Sequence, residues 1–95
     1  MATDKELDQI RERTSLVSLV SAHTTLKKAG TRYKGRCPFH ADKDPSFTVD
    51  EEKKLWHCFG CGIGGDVFTF VMQTENVGFG EAVEMLAKRA GVTLT

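Results

Sequence analysis

Residues 37–61 read CPFHADKDPSFTVDEEKKLWHCFGC, and the spacing within them decides the architecture. Cys37 and His40 form a C-x2-H pair. Seventeen residues follow, 41–57, and then Cys58 and Cys61 form a C-x2-C pair. Two tight pairs of soft ligands at this spacing are the pattern of a zinc site. The two residues inside each pair make a turn that aims both ligands at one point. Gly60, between the cysteines, and Gly62, just after them, permit the positive φ that such a knuckle uses. The expected ligands are therefore Cys37, His40, Cys58 and Cys61. Three thiolates and one imidazole fill a tetrahedral shell, whereas a catalytic zinc keeps one position open for water or substrate. The zinc expected here is structural. Iron in a rubredoxin-like site would use four cysteines. A redox C-x-x-C pair usually sits beside a βαβ pattern, for which this chain has only a weak signal. His57 precedes Cys58 directly, but neighbouring strand residues point to opposite faces, so it is expected to be an ordinary strand histidine.

The flanking sequence predicts an α+β fold: a zinc ribbon, an antiparallel β-sheet of four to five strands flanked by helices. TTLKKA (24–29) and RYKGRC (32–37) read as strands joined at Gly30-Thr31. SFTVD (46–50) and KKLWHC (53–58) make a second pair, with Pro45 just before it, where a missing N–H is tolerated. Each ligand pair then closes one hairpin. Asp4–Arg13 reads as a polar helix with Leu7 and Ile10 on one side, and residues 16–23 as a short helix capped by Thr14 or Ser15. His23, near its end, is expected to be solvated or capping. GIGGD (62–66) lacks the Gly-Lys-Ser/Thr of a phosphate loop and reads as a turn, with Asp66 as N-cap of a helix over 66–75. Val67, Phe68, Phe70 and Val71 are expected to face inward. Residues 76–78 break the chain before Phe79–Ala90, whose apolar positions recur with a 3.6 period and whose end suits Gly91. Glu84 and Lys88 can pair on its outer face. The two helices are expected to pack as core, and residues 92–94 to add an edge strand.

Ninety-five residues make one domain, 1–95, with a small core that metal would staple. The metal uses all three cysteines. With no signal peptide or long apolar run, this points to a reducing, cytoplasmic setting and no membrane partner. Formal net charge is zero, but the charges are unevenly placed. Lys27, Lys28, Arg32, Lys34 and Arg36 fall in one acid-free stretch, while acids gather at 4–12 and 50–52. Strand alternation puts Arg32, Lys34 and Arg36 on one face, a row that can follow a phosphate backbone. Either Lys27 or Lys28 can extend it, and Lys43, Lys53 and Lys54 come from the second hairpin. Trp56 shares strand parity with Lys54 and is a candidate to stack on an unpaired base. A solvated sheet face also favours Lys and Arg, so composition alone leaves the choice open.

CPFHADKDPSFTV followed by EKKLWHCFGCGIGGDVFTFVM resembles the zinc-binding domain of bacterial DNA primases of the DnaG type, the CHC2 zinc ribbon. The flanks LVSLVSAHTTLKKAGTRYKGRCPFH and FGEAVEMLAKRAGV are similar too, so the resemblance covers nearly the whole chain. It implies a part in DNA replication and RNA primer synthesis within the primosome: binding single-stranded DNA template and helping choose where a primer starts. The implied DNA contacts are Lys28, Arg32, Lys34, Arg36, Lys43, Lys53, Lys54 and Trp56. The family's magnesium-binding nucleotidyltransferase domain and its helicase-binding domain would lie beyond Thr95. The primase catalytic domain is thus an implied partner, and a replicative helicase a further one, while this segment is not expected to be catalytic alone. A zinc-stapled adaptor docking on primase or helicase domains is the alternative. A docking face would be more apolar and poorer in lysine.

Overall fold

The computed structural model describes residues 3–39 and 46–94. In chain order the elements are α1 (Asp4–Arg13), α2 (Leu16–Ser21), β1 (Leu26–Ala29), β2 (Arg32–Gly35), β3 (Phe47–Asp50), β4 (Leu55–Cys58), β5 (Gly64–Gly65), α3 (Val67–Glu75) and α4 (Phe79–Ala90). The five strands form one antiparallel sheet in the order β1-β2-β3-β4-β5. This is the expected α+β zinc ribbon.

Period-two alternation explains which face is covered. Phe47 and Val49 of β3 and Trp56 and Cys58 of β4 point to one side, where they are almost fully buried. The helices cover that side with Val67, Phe68, Phe70 and Val71 from α3, and Ala82, Val83, Leu86 and Ala87 from α4. Ile10, Leu16, Leu19 and Val20 complete the core from α1 and α2. The helix pair is core, as its apolar period predicts. Gly35 is demanded by packing, since a Cβ there would lie 2.5 Å from the Thr25 carbonyl oxygen.

The helix ends obey capping chemistry. Asp66 accepts from the Thr69 N–H at 3.0 Å, and Asn76 and Gly91 close α3 and α4 in the left-handed region. Thr3 and Glu6 form a reciprocal capping box at the start of α1. Of the two candidate caps for α2, Ser15 serves, while the Thr14 hydroxyl donates to the Ile10 carbonyl at 2.6 Å. His23 is exposed just past α2, its ring edge against Phe70. Glu84 and Lys88 are both exposed and form no ion pair among the described residues.

Two expectations about the sheet need correction. The fifth strand is not residues 92–94. The Val92 N–H donates to the Ala87 carbonyl at 2.9 Å, closing α4 instead of joining a ladder. The fifth strand comes from the turn that was expected at GIGGD: Gly64 and Gly65 pair with His57 and Trp56. A Cβ on Gly64 would sit 2.8 Å from the Trp56 carbonyl oxygen, so only glycine lets this edge close up.

Glu51, in the turn between β3 and β4, ties this hairpin to α2. Its carboxylate accepts from the Val17 N–H at 2.8 Å, the Leu16 N–H at 3.2 Å, the Ser15 hydroxyl at 3.1 Å and the Lys54 ammonium at 2.7 Å. Burial pushes the Glu51 carboxyl up, but Lys54, Val17 and Ser15 outweigh it and hold the group below its ordinary 4.5. A depressed folded-state value means that the stabilisation is complete above the unfolded value and lost as pH falls through the folded one. Glu51→Gln is therefore expected to cost about 1–2 kcal/mol near neutrality, the scale of a lost helix cap. The gap to wild type should close in acid, below 4.5. Urea melts of both proteins across that range check this; a gap unchanged in acid would show that the charge is not what matters.

Candidate metal centre and nucleic-acid interface

Cys37 follows the end of β2, Cys58 ends β4, and Cys61 sits in the turn between β4 and β5. Their sulfur atoms all lie within 4.8 Å of one another. The turn is built by the backbone: the Gly62 N–H donates to the Cys58 carbonyl at 2.8 Å, and the Cys58 N–H to the Ile63 carbonyl at 2.8 Å. Gly62 takes φ +76, the left-handed conformation expected of it. A third bond, from the Phe59 N–H to the Ser46 carbonyl at 3.0 Å, ties the knuckle to the start of β3.

The donor set fits a zinc ion. Two thiolates about 2.3 Å from a tetrahedral zinc are about 3.8 Å apart, and Cys37 Sγ and Cys61 Sγ are 3.9 Å apart. Burial pushes the Cys37 thiol up to about 12, the neighbouring Cys58 and Cys61 thiols add to the rise, and the Phe39 N–H opposes it. Packed thiols resist becoming three anions unless a cation sits among them, and a divalent ion supplies that charge. Three sulfurs would supply three of the four ligands of a tetrahedral zinc. The fourth expected ligand, His40, lies outside the described residues, as does Lys43. His57 is exposed on the sheet face turned away from the helices, its ring edge-on to Phe59 at 4.5 Å.

That outer face carries the basic row. Arg32, Lys34 and Arg36 are exposed, whereas Tyr33 and Gly35 point toward the core side. The β1–β2 register sets Lys27 opposite Lys34 and Lys28 opposite Tyr33. Lys27 therefore extends the row, and Lys28 projects from the other face. Of the two lysines that could extend the row, the register thus selects Lys27. The signal was present in the two-residue turn, which pairs 29 with 32 and so 27 with 34.

Two further residues are displaced from the expected interface. Trp56 is 3 % exposed and packs in the core. Its ring stacks on Phe47 at 5.4 Å and meets Phe39 at 5.3 Å and Phe70 at 5.8 Å, and its N–H donates to the Asp66 carbonyl at 2.8 Å. It does not offer a free face to a base. Lys54 sits at φ 57, which breaks strand alternation, and its ammonium is held by the Thr14 carbonyl and by Glu51. Parity from Lys54 was thus no guide to Trp56. Lys53 is exposed and, with Arg32, lines a cleft of about 380 Å³ on the outer face. Arg32 Nε lies 3.9 Å from Asp50 Oδ2, a long ion pair between an exposed guanidinium and a mostly buried carboxylate.

No described helix is long and apolar enough to cross a membrane. The CHC2 zinc finger family matches residues 2–95. The chain is 49% identical over 88 residues to a DNA primase of Halalkalibacterium halodurans, covering 93% of this chain and 15% of that protein. It is also 45% identical over 92 residues to a DNA primase of Geobacillus stearothermophilus, covering 97% of this chain and 15% of that one. Among solved structures it is similar to the Aquifex aeolicus primase (zinc binding and RNA polymerase domains), with a TM-score of 0.87 and 40% identity, covering 100% of this chain and 23% of that one. The chain thus spans about 15% of the length of the curated relatives it matches.

Proposed function

The chain belongs to the CHC2 zinc finger family, the zinc-binding domain of bacterial DNA primases, and from that premise we propose that its outer sheet face binds single-stranded DNA template and helps select where a primer starts. Cys37, His40, Cys58 and Cys61 hold one structural zinc, which fixes the ends of both hairpins and so the sheet that carries the contacts. The nucleotidyl transfer itself belongs to a separate magnesium-dependent domain, because phosphoryl chemistry needs carboxylate-held metal. A primase catalytic domain is the partner in this reading; the curated relatives, of whose length this chain spans about 15%, are DNA primases.

The observation that carries this reading is the exposed row of Arg32, Lys34 and Arg36, with Lys27 beside it, on the face the helices leave open. Cations at strand spacing suit a phosphate chain. A surface for docking protein would expose more apolar area and fewer lysines, so the row favours nucleic acid over an adaptor role.

Phosphate contacts add affinity without sequence preference. Arg32→Ala and Arg36→Ala are each expected to weaken binding to every single-stranded oligonucleotide tested. Each should also flatten the salt dependence, by roughly 0.7 in log–log slope per lost contact. Titrations of the zinc-loaded protein at several salt concentrations check this. Variants that bind as tightly as wild type, with unchanged slopes, would remove the row from the template site.

A further inference from the structure

The cleft beside the basic row has a composition that phosphate binding does not account for. Its walls include Leu55 and Phe59, which are 48% and 69% exposed, far more than a core-building apolar residue. His57 meets the Phe59 ring edge-on at 4.5 Å with 70° between the planes, which props the ring in one orientation. The β5 wall is Gly64 and Gly65, without side chains. Thr48, mostly buried, lies in the lining between the strands. Arg32 and Lys53 line it as exposed side chains, while Asp50, less exposed, adds a carboxylate, one oxygen accepting from the Lys53 N–H at 3.0 Å and the other 3.9 Å from Arg32 Nε.

Charge decides what can enter. A phosphate drawn inside would meet the Asp50 carboxylate, whereas the exposed Arg32 and Lys53 side chains can reach a phosphate from the solvent side. A flat, uncharged aromatic group suits the interior, since base–aromatic stacking is tolerant of sequence and needs only an exposed ring face. The volume, about 380 Å³, falls at the small end of ligand clefts, which run from about 300 Å³ upward.

We infer that this cleft takes one unpaired base of the bound strand, stacked on Phe59, with the flanking phosphates on Arg32 and Lys53. The inference rests on the template-binding reading above and assigns the stacking role, expected of Trp56, to Phe59. The Trp56 ring is interior, and the exposed Phe59 ring lies on the knuckle, in the same turn that places Cys58 and Cys61.

The test compares the zinc-loaded wild type and Phe59→Ala against two oligonucleotides of equal length, one a single-stranded DNA and one with the same sugar–phosphate backbone but abasic. Phe59 is exposed, so the variant should keep its fold and its zinc, which circular dichroism and metal analysis verify. Wild type is expected to prefer the base-bearing strand by about tenfold or more, the scale of one lost stack. Phe59→Ala should lose that preference while keeping the wild-type salt slope and the wild-type affinity for the abasic strand. If both proteins bind both strands equally, with a steep salt slope, the cleft is not a base site and the phosphate reading stands. If wild type binds neither strand, the template reading falls and the cleft with it.

Discussion

Replacing Cys58 with serine is expected to unfold the chain or leave it loosely collapsed. Structural zinc supplies on the order of 10 kcal/mol of folding free energy in small peptides, and a domain of ordinary size is stable by only about 5–15 kcal/mol in total. The metal term is therefore comparable to the whole. Cys58 is fully buried at the end of β4 and its strand neighbours fill the core, so loss of its ligand bond loosens the sheet as well as the knuckle. His40→Ala should do less harm, because water can replace one neutral ligand. Metal analysis of wild type should return one zinc per chain, and chelation should melt the protein much as Cys58→Ser does. A metal-free protein with a cooperative, two-state melt would sink the proposal that zinc staples the fold.

The second large effect is at Trp56. Truncation of a buried large aromatic costs about 3–5 kcal/mol, and here it also removes the indole N–H bond to the Asp66 carbonyl, which keeps only the Phe70 N–H at 3.0 Å. Phe47, Phe39 and Phe70 surround the ring and cannot collapse into the space without moving β3 and α3. Trp56→Ala is expected to lose that much in urea denaturation. As the single tryptophan, Trp56 also reports on the core: its emission should stay nearly constant when single-stranded DNA is added and shift to the red when zinc is removed. Strong quenching by DNA, together with a variant as stable as wild type, would put the ring back on the binding face.

Local rules carried far in this chain because most of its elements are set by short-range chemistry. The C-x2-H and C-x2-C pairs marked candidate metal ligands, and the three cysteines among them come together in the fold. Gly30, Asp66, Asn76 and Gly91 marked turns and caps that occur where expected, and the 3.6 period over Phe79–Ala90 matched α4 at both ends. The Thr3–Glu6 capping box was not among the expectations, although T-x-x-E stands at the start of α1. The cation row followed from strand alternation, which makes Arg32, Lys34 and Arg36 neighbours whatever the sheet packs against.

Tertiary structure decided what alternation leaves open. A period of two sorts residues into two sets but does not say which set is covered. The helices chose, taking Phe47, Val49, Trp56 and Cys58 inside and leaving Leu55 and His57 out. Lys54 was claimed by its near neighbour Glu51 and by the Thr14 carbonyl, and the second is a long-range contact that no local signal announces. The strand at Gly64–Gly65 had no alternation to betray it, because two glycines have no side chains; it exists because β4 offers an open edge that only glycines can approach so closely. The sequence by itself determined the metal pattern, the hairpins and the cations, which depend on neighbours in the chain. Which aromatic ring is buried and which faces solvent depends on the burial of a whole sheet face, and that was decided only when the helices closed over it.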